Sequence, residues 1–363
     1  MHIPERTIAD VATIQAIRAL LARHGRGVDR SDAATISQCY RPDAMVDYGF
    51  FNGPASEFAT LLATAGNESP ASLHRTGQSW ISVNGREARG ESYVIAYAPA
   101  VDGSGNGRQR LVCGRYLDRF THEDGAWKIA HRRYVLDVAI SRNGAFTPPP
   151  LAPLSAYYPS GGHRSADAGM ALLARAKAAL PIHPKENDMT DLSTGVSPEL
   201  IDHAISTQQL ATLTAAYCRG TDRTDAGLLK TLFHDDSVVM SGAFNGNGQD
   251  FAVAICEIIR THFRQAFHST ANQWFEVNGD AAIGESYVIA ATTMREGGAS
   301  MLTGGRYIDR FARKDGVWKF SERHFVCDWV MEHPATEQED PDIAALPLRG
   351  KQGIDDPVYA FWK

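Results

Sequence analysis

Within Ile8 to Gly27, apolar residues fall at Ile14, Ile17, Leu20 and Leu21, the three-and-four spacing that lines one face of a helix. A second short helix is predicted at Ser31 to Tyr40, a brief strand at Ala44 to Tyr48, and a third helix at Ala55 to Ala65, bordered by Gly53-Pro54. Long strands follow at Gln78 to Val83, Ala88 to Ala98, Gln109 to Thr121 and Trp127 to Ala139, the first two joined by Asn84-Gly85, a pair that favours tight hairpins. Helices first and an antiparallel sheet last predict an α+β domain in which helices cover one face of a curved sheet. Such a cone encloses a mostly apolar cavity suited to a small molecule.

The plan then recurs. GVDRSD at Gly27 to Asp32 matches GTDRTD at Gly220 to Asp225. In the same order come FNG at 51–53 and 244–246, His74 and His268, VNG with GESYVIA at 83–96 and 277–290, and GRYLDRF with DGAWK against GRYIDRF with DGVWK. The offset drifts by only a few residues, as expected when insertions are confined to loops. Units of this size make a domain pair, since solenoid repeats run only about 20 to 50 residues. The expected organisation is two tandem cone-shaped domains at 1–146 and 198–335, a linker at 147–197 and a tail at 336–363. In the second copy, helices are predicted near 199–219, 224–233 and 249–264, and strands from Asn272 to Glu332. The linker's TPPPLAPLSAYYPSGG favours extended chain, while MALLARAKAAL at Met170 to Leu180 is amphipathic enough to dock as one helix. The Pro-, Asp- and Glu-rich tail is expected on the surface, where it can cover a pocket mouth.

Composition narrows the function classes. With 44% hydrophobic and 21% charged residues, the chain reads as soluble and globular. A net charge of −6 provides no basic field for nucleic acid or an anionic membrane, which leaves small molecules as the expected partners. MHIPERTIAD has no charged head followed by an apolar stretch, and no run approaches the roughly 18 apolar residues of a membrane span, so the cytoplasm is the expected compartment. Five cysteines without CxxC spacing argue for reduced packing residues over a disulfide framework or a zinc site. The glycines of DGSGNGR lead into another strand, not a helix, so no dinucleotide or phosphate loop is expected and neither cofactor nor metal is assigned.

Asp29 and His74 are the candidate chemistry of the first copy, and Asp222 and His268 repeat them in the second. Each has an ordinary alternative: Asp29 or Asp32 can cap the following helix, and a lone histidine before a strand is often structural. The pair persists while neighbours change, Asp47 to Met240 and Tyr48 to Ser241. Histidine titrates near neutrality, and a carboxylate on one ring nitrogen fixes the tautomer and stabilises the imidazolium formed on proton abstraction. In GRYLDRF, Arg115, Tyr116, Asp118 and Arg119 alternate along a strand, which favours structural use.

GVDR, a histidine some 45 residues later, VNGxxAxGESYV, GRYxDRF and DGxWK resemble the SnoaL-like branch of the nuclear transport factor 2-like superfamily, which includes scytalone dehydratase and hexachlorocyclohexane dehydrochlorinase. The resemblance spans both repeats. It implies a cofactor-free Asp–His dyad in each cone, with His74 and His268 as bases, Asp29 and Asp222 as their partners, and Arg132 and Arg323 assisting. Where the dehydrochlorinase has a lysine five positions before its aspartate, this chain has His24 and Tyr217, residues better suited to helping a hydroxyl leave or contacting a phenol. His24, Tyr48, Trp80, Tyr217 and Trp274 are the expected pocket residues. The leading expectation is a lyase of dehydratase type acting on an aromatic or polycyclic substrate, or one releasing formaldehyde by carbon–carbon cleavage. An isomerase or cyclase using the same proton shuttle and a non-catalytic binding module are the rivals. The two pockets are expected to be unequal, and association into a homo-oligomer remains open.

Overall fold

The computed structural model describes residues 7–67, 72–101, 107–143, 164, 197–337 and 339–363. The helix expected at Met170 to Leu180 lies outside them. Helix α1 (Ile8–Asp29) starts with a reciprocal cap, Thr7 accepting from the Asp10 amide and Asp10 returning to the Thr7 amide. Its apolar face buries Ile14, Ile17, Leu20 and Leu21. It runs past Gly27, the end of its apolar pattern, to Asp29. A Cβ on Gly27 would sit 3.0 Å from Ile36, so glycine here allows close approach to α2 (Ala33–Cys39). Asp32, not Asp29, caps α2, which leaves the Asp29 carboxylate for other work.

The first sheet comprises β1 (Tyr40–Asp47), β2 (Asn52–Pro54), β3 (Leu73–Asn84), β4 (Glu87–Tyr97), β5 (Ala100–Val101), β6 (Gly107–Glu123) and β7 (Ala126–Asn143), with α3 (Ala55–Asn67) packed on it. The order is β2-β1-β7-β6-β4-β3, with β5 paired to β6. All pairs are antiparallel except β1 with β7, so the sheet is mixed. No hairpin turn joins those two strands, and nothing therefore imposes an antiparallel direction. Strand β3 begins at Leu73, five residues before the expected start, and carries His74 within it. An irregularity between Thr76 and Ser79 breaks the alternation that would have announced this half of the strand.

The second unit repeats the plan with α4 (Pro198–Asp222), α5 (Ala226–Leu232), β8 (Phe233–Met240), β9 (Asn245–Asn247), α6 (Gly248–His262), β10 (Phe263–Asn278), β11 (Ala281–Met294), β12 (Ala299–Lys314) and β13 (Val317–Pro334). Its order is β10-β11-β12-β13-β8-β9, with β8 parallel to β13. His268 likewise lies inside β10, ahead of a second register shift. Short helices α7 (Pro341–Ala344) and α8 (Pro357–Phe361) end the chain.

The two units pack asymmetrically. The outer face of the first sheet is buried beneath α4 and the tail. Arg219 lies 3.9 Å over the Trp80 ring and bonds Glu91, while Arg223 bonds Asp137 and Asp356. Arg115 joins Glu91, Asp137 and Asp356 in the same cluster. The Gln78 side chain, reaching from β3, donates to the His268 carbonyl at 2.6 Å and accepts from the Thr270 amide at 2.8 Å. The tail thus does more than lie on the surface: Val358 is fully buried against Leu117 and Val135. Among the described residues, no helix is long and apolar enough to cross a membrane.

Candidate active site

The structure brings the aspartate and the histidine of each copy into contact. His74 Nδ1 meets Asp29 Oδ1 at 2.7 Å, and His268 Nδ1 meets Asp222 Oδ1 at 2.5 Å. In each, the histidine's own backbone N–H donates to the other carboxylate oxygen at 2.9 Å. The helix end and the strand start are therefore tied by one carboxylate at two points, a consequence of placing aspartate on the last turn of α1 or α4 beside the first third of β3 or β10. An ionised carboxylate only accepts, so Nδ1 carries the proton and Nε2 holds the free lone pair. The aspartates are buried and the histidine rings partly exposed. Ser72 adds a hydrogen bond to Asp29 Oδ1, a contact with no sequence signal.

The arginines lie deeper. Arg132 is held by Asp118 through two hydrogen bonds of 2.8 and 2.7 Å, and Arg323 by Asp309 through two of 2.7 Å. Burial alone would lower the pKa of Arg132; the Asp118 carboxylate outweighs it and raises it, fixing the guanidinium as charged. Asp309 does the same for Arg323. Asp118 and Asp309 belong to the motif read as structural, and they work by holding these arginines.

Beyond this frame the copies differ. In the first, Arg132 Nη1 donates to His24 Nδ1 at 3.1 Å, which requires His24 Nε2 to carry the proton and donate to the Tyr40 hydroxyl at 2.9 Å. Burial, then the charge of Arg132, pushes the His24 pKa well down, so this ring stays neutral. Tyr48 stacks on Tyr134 with centroids 5.2 Å apart and lies near Tyr116, giving this cone several hydroxyls. In the second, Tyr217 replaces His24, Phe233 replaces Tyr40 and Phe325 replaces Tyr134. Arg323 is packed about 4.0 Å from the ring of Tyr217 and 4.3 Å from that of Tyr307. Its Nη1 has no hydrogen-bond partner among the described residues.

Two expected pocket residues are elsewhere. Trp80 faces the other side of the sheet, in the interface with Arg219 and Trp362. Trp274, at the equivalent position, is half exposed on the outer face of the second sheet. Strand alternation decides this: an aromatic six positions after a cone-facing histidine lies on the opposite face once the intervening irregularity shifts the phase. A cavity of about 460 Å³ beside Arg89, Arg119 and Trp362 contains neither dyad. Among the described residues no cluster of His, Cys, Asp and Glu has the arrangement of a metal site.

A SnoaL-like domain model matches residues 9–133 and again 202–324, more than half of the chain. The protein belongs to the SnoaL-like family and carries its domain twice. Gamma-hexachlorocyclohexane dehydrochlorinase from Sphingobium indicum is 27% identical over 111 residues, covering 30% of this chain and 71% of the relative. Hexachlorocyclohexane dehydrochlorinase 2 of the same species matches to the same extent. Among solved structures, LinA is similar at 25% identity with a TM-score of 0.35, over 36% of this chain and 90% of its own. A putative scytalone dehydratase from Novosphingobium aromaticivorans is similar at 23% identity with a TM-score of 0.34, over 36% of this chain and 89% of its own. The similarity to the dehydrochlorinases is a similarity to lyases.

Proposed function

We propose that the protein is a cofactor-independent lyase that removes water, or another small leaving group, from a hydrophobic aromatic or polycyclic molecule. The observation that carries this reading is the pair of dyads, each with Nδ1 engaged by a buried carboxylate and Nε2 left as the accepting atom. In the reaction, Nε2 of His74 or His268 takes a proton from the carbon next to the one bearing the leaving group. The carbon–hydrogen electron pair becomes the new double bond, and the leaving group departs with its own pair. Asp29 or Asp222 stabilises the imidazolium formed. Developing negative charge falls to Arg323 Nη1 in the second cone, and to the Tyr40, Tyr48 and Tyr116 hydroxyls in the first. The absence of lysine at His24 and Tyr217 favours a hydroxyl leaving group over a halide. The same base acting on a substrate hydroxyl would start carbon–carbon cleavage with loss of formaldehyde.

Cofactor-free incubation of wild type, His74→Ala, His268→Ala and the double variant with hydroxylated aromatic and steroid-like compounds tests this by absorbance and product mass. Elimination yields a lighter, more conjugated product that the double variant does not make, and released formaldehyde marks the cleavage route. A product of unchanged mass indicates an isomerase or cyclase using the same shuttle. Binding that survives both substitutions, with no turnover by wild type, would overturn the enzyme reading in favour of a binding module.

A further inference from the structure

The strands that carry the two histidines, β3 and β10, each lie at the end of their sheet, so their outward N–H and C=O groups face no further strand. At His268 both groups are nevertheless taken. The N–H donates to Asp222 of its own unit, and the carbonyl accepts from the Gln78 side chain of the first unit at 2.6 Å. The same carboxamide accepts from the Thr270 N–H at 2.8 Å. It therefore bonds the C=O of one residue and the N–H two places on, as the backbone of a parallel neighbour would. Gln78 is buried, so both bonds are shielded from water.

Two further contacts bring the first unit against this stretch of β10. A Cβ on Gly77 would overlap Ser269 Oγ and lie 3.0 Å from the Thr270 carbonyl, so glycine lets the two backbones approach. Tyr93, on β4, packs on Phe267, the residue before His268, with ring centroids 5.2 Å apart. The support runs one way. In the repeat, Ala271 stands at the place of Gly77, and Asn272, one methylene shorter, at the place of Gln78. Among the described residues, the Asn272 side chain makes no hydrogen bond and no side chain of the second unit bonds the His74 carbonyl.

We infer, resting on the elimination proposed above in which His268 Nε2 is the base, that Gln78 of the first unit is a positioning residue for the second active site. Asp222 holds the ring and the N–H of His268, and Gln78 holds the peptide on its other side. Without the carboxamide the edge of β10 is free to shift, and a misplacement of about 1 Å at a reacting group costs about 10²-fold in rate. The first site receives no such support from the second unit and depends on its own Asp29.

The test is Gln78→Leu in the full chain, which nearly keeps the side chain's size and removes both bonds. It is made in His74→Ala and in His268→Ala backgrounds, with the hydroxylated aromatic that wild type converts. Turnover at the second site should fall about 10- to 100-fold through kcat with KM little changed, while the first site stays within about twofold. With both histidines present, the ring ¹⁵N resonances of His268 should shift or broaden and those of His74 should not, and the Thr270 amide should exchange faster. Gln78→Asn, too short to make both bonds, should give the same one-sided loss if the leucine variant does not fold. Equal losses at the two sites, or a second site and His268 resonances unchanged by both variants, would overturn the inference. If wild type converts no compound, the lyase reading fails by itself, and the His268 resonances still decide the positioning: moved they support it, unmoved they refute it.

Discussion

Replacing Asp222 with asparagine exchanges one carboxylate oxygen for an NH₂ group and should reverse the polarity of the second dyad. In the native site both donors come from His268: Nδ1–H to Oδ1 at 2.5 Å and the backbone N–H to Oδ2 at 2.9 Å. An amide offers one accepting oxygen and one donating nitrogen. The backbone N–H cannot become an acceptor, so the amide oxygen turns to it and the NH₂ faces the ring. Nδ1 must then accept, the ring proton moves to Nε2, and the nitrogen that should take the substrate proton is blocked. The analogous change in a serine-protease triad lowers turnover about 10⁴-fold by the same tautomer error. We expect a loss of about 10³- to 10⁴-fold here, or about 4 to 5.5 kcal/mol at 1.36 kcal/mol per decade. Turnover is measured in a His74→Ala background to isolate the second site, and ring ¹⁵N shifts report the tautomer without substrate. Retention of more than a tenth of the activity, or an Nδ1–H tautomer in the variant, would refute the reasoning.

The arginines give a contrast between copies. Arg132→Met and Arg323→Met each leave a buried aspartate unpaired and should destabilise by about 3 to 5 kcal/mol, read from denaturant midpoints. Only the second removes a donor without a protein partner, so only Arg323→Met should also lower kcat about 10²-fold; equal kcat losses would contradict this. Acid should release the tail. Burial opposes charge on Asp340, yet hydrogen bonds from Arg110 and Ser141 hold its pKa at about 2, and Arg115 and Arg223 hold Asp356 well below the usual carboxylate range despite burial. Both folded values lie below the unfolded value of about 3.9, so the stabilisation is complete above that value and is lost as pH falls from about 4 toward about 2. Trp362 fluorescence and protease sensitivity of the tail should change in that window, and a tail that stays docked at pH 2 would exclude it. Finally, a Cβ on Gly350 would lie 1.7 Å from Asp137 Oδ1 and 2.7 Å from Arg223 Nη1. Gly350→Ala should cost about 1 to 3 kcal/mol, and an unchanged melting temperature would show that the tail is not clamped there.

The sequence alone established the duplication and the α+β plan and singled out the two Asp–His pairs that come into contact, because each is written locally. Apolar spacing defines α1, the NG turn defines the first hairpin, and GVDR with a later histidine recurs at matching places. The partners of the arginines were not legible. Counting back from the Asp124-Gly125 turn puts Asp118 opposite His131, but an irregularity between Arg119 and Phe120 slips the ladder by one and sets Asp118 against Arg132. The second copy makes the same slip between Arg310 and Phe311, pairing Asp309 with Arg323. Trp80 and Trp274 were misplaced for a related reason: a shift of one residue in a strand exchanges the inner face for the outer. Only the tertiary structure decided that Trp80 is buried and Trp274 is not, because burial on the outer face depends on which unit folds back over which sheet. That choice is made by Arg219 reaching Glu91 across 128 residues of chain and Arg223 reaching Asp356 across 133, at a distance no local pattern records.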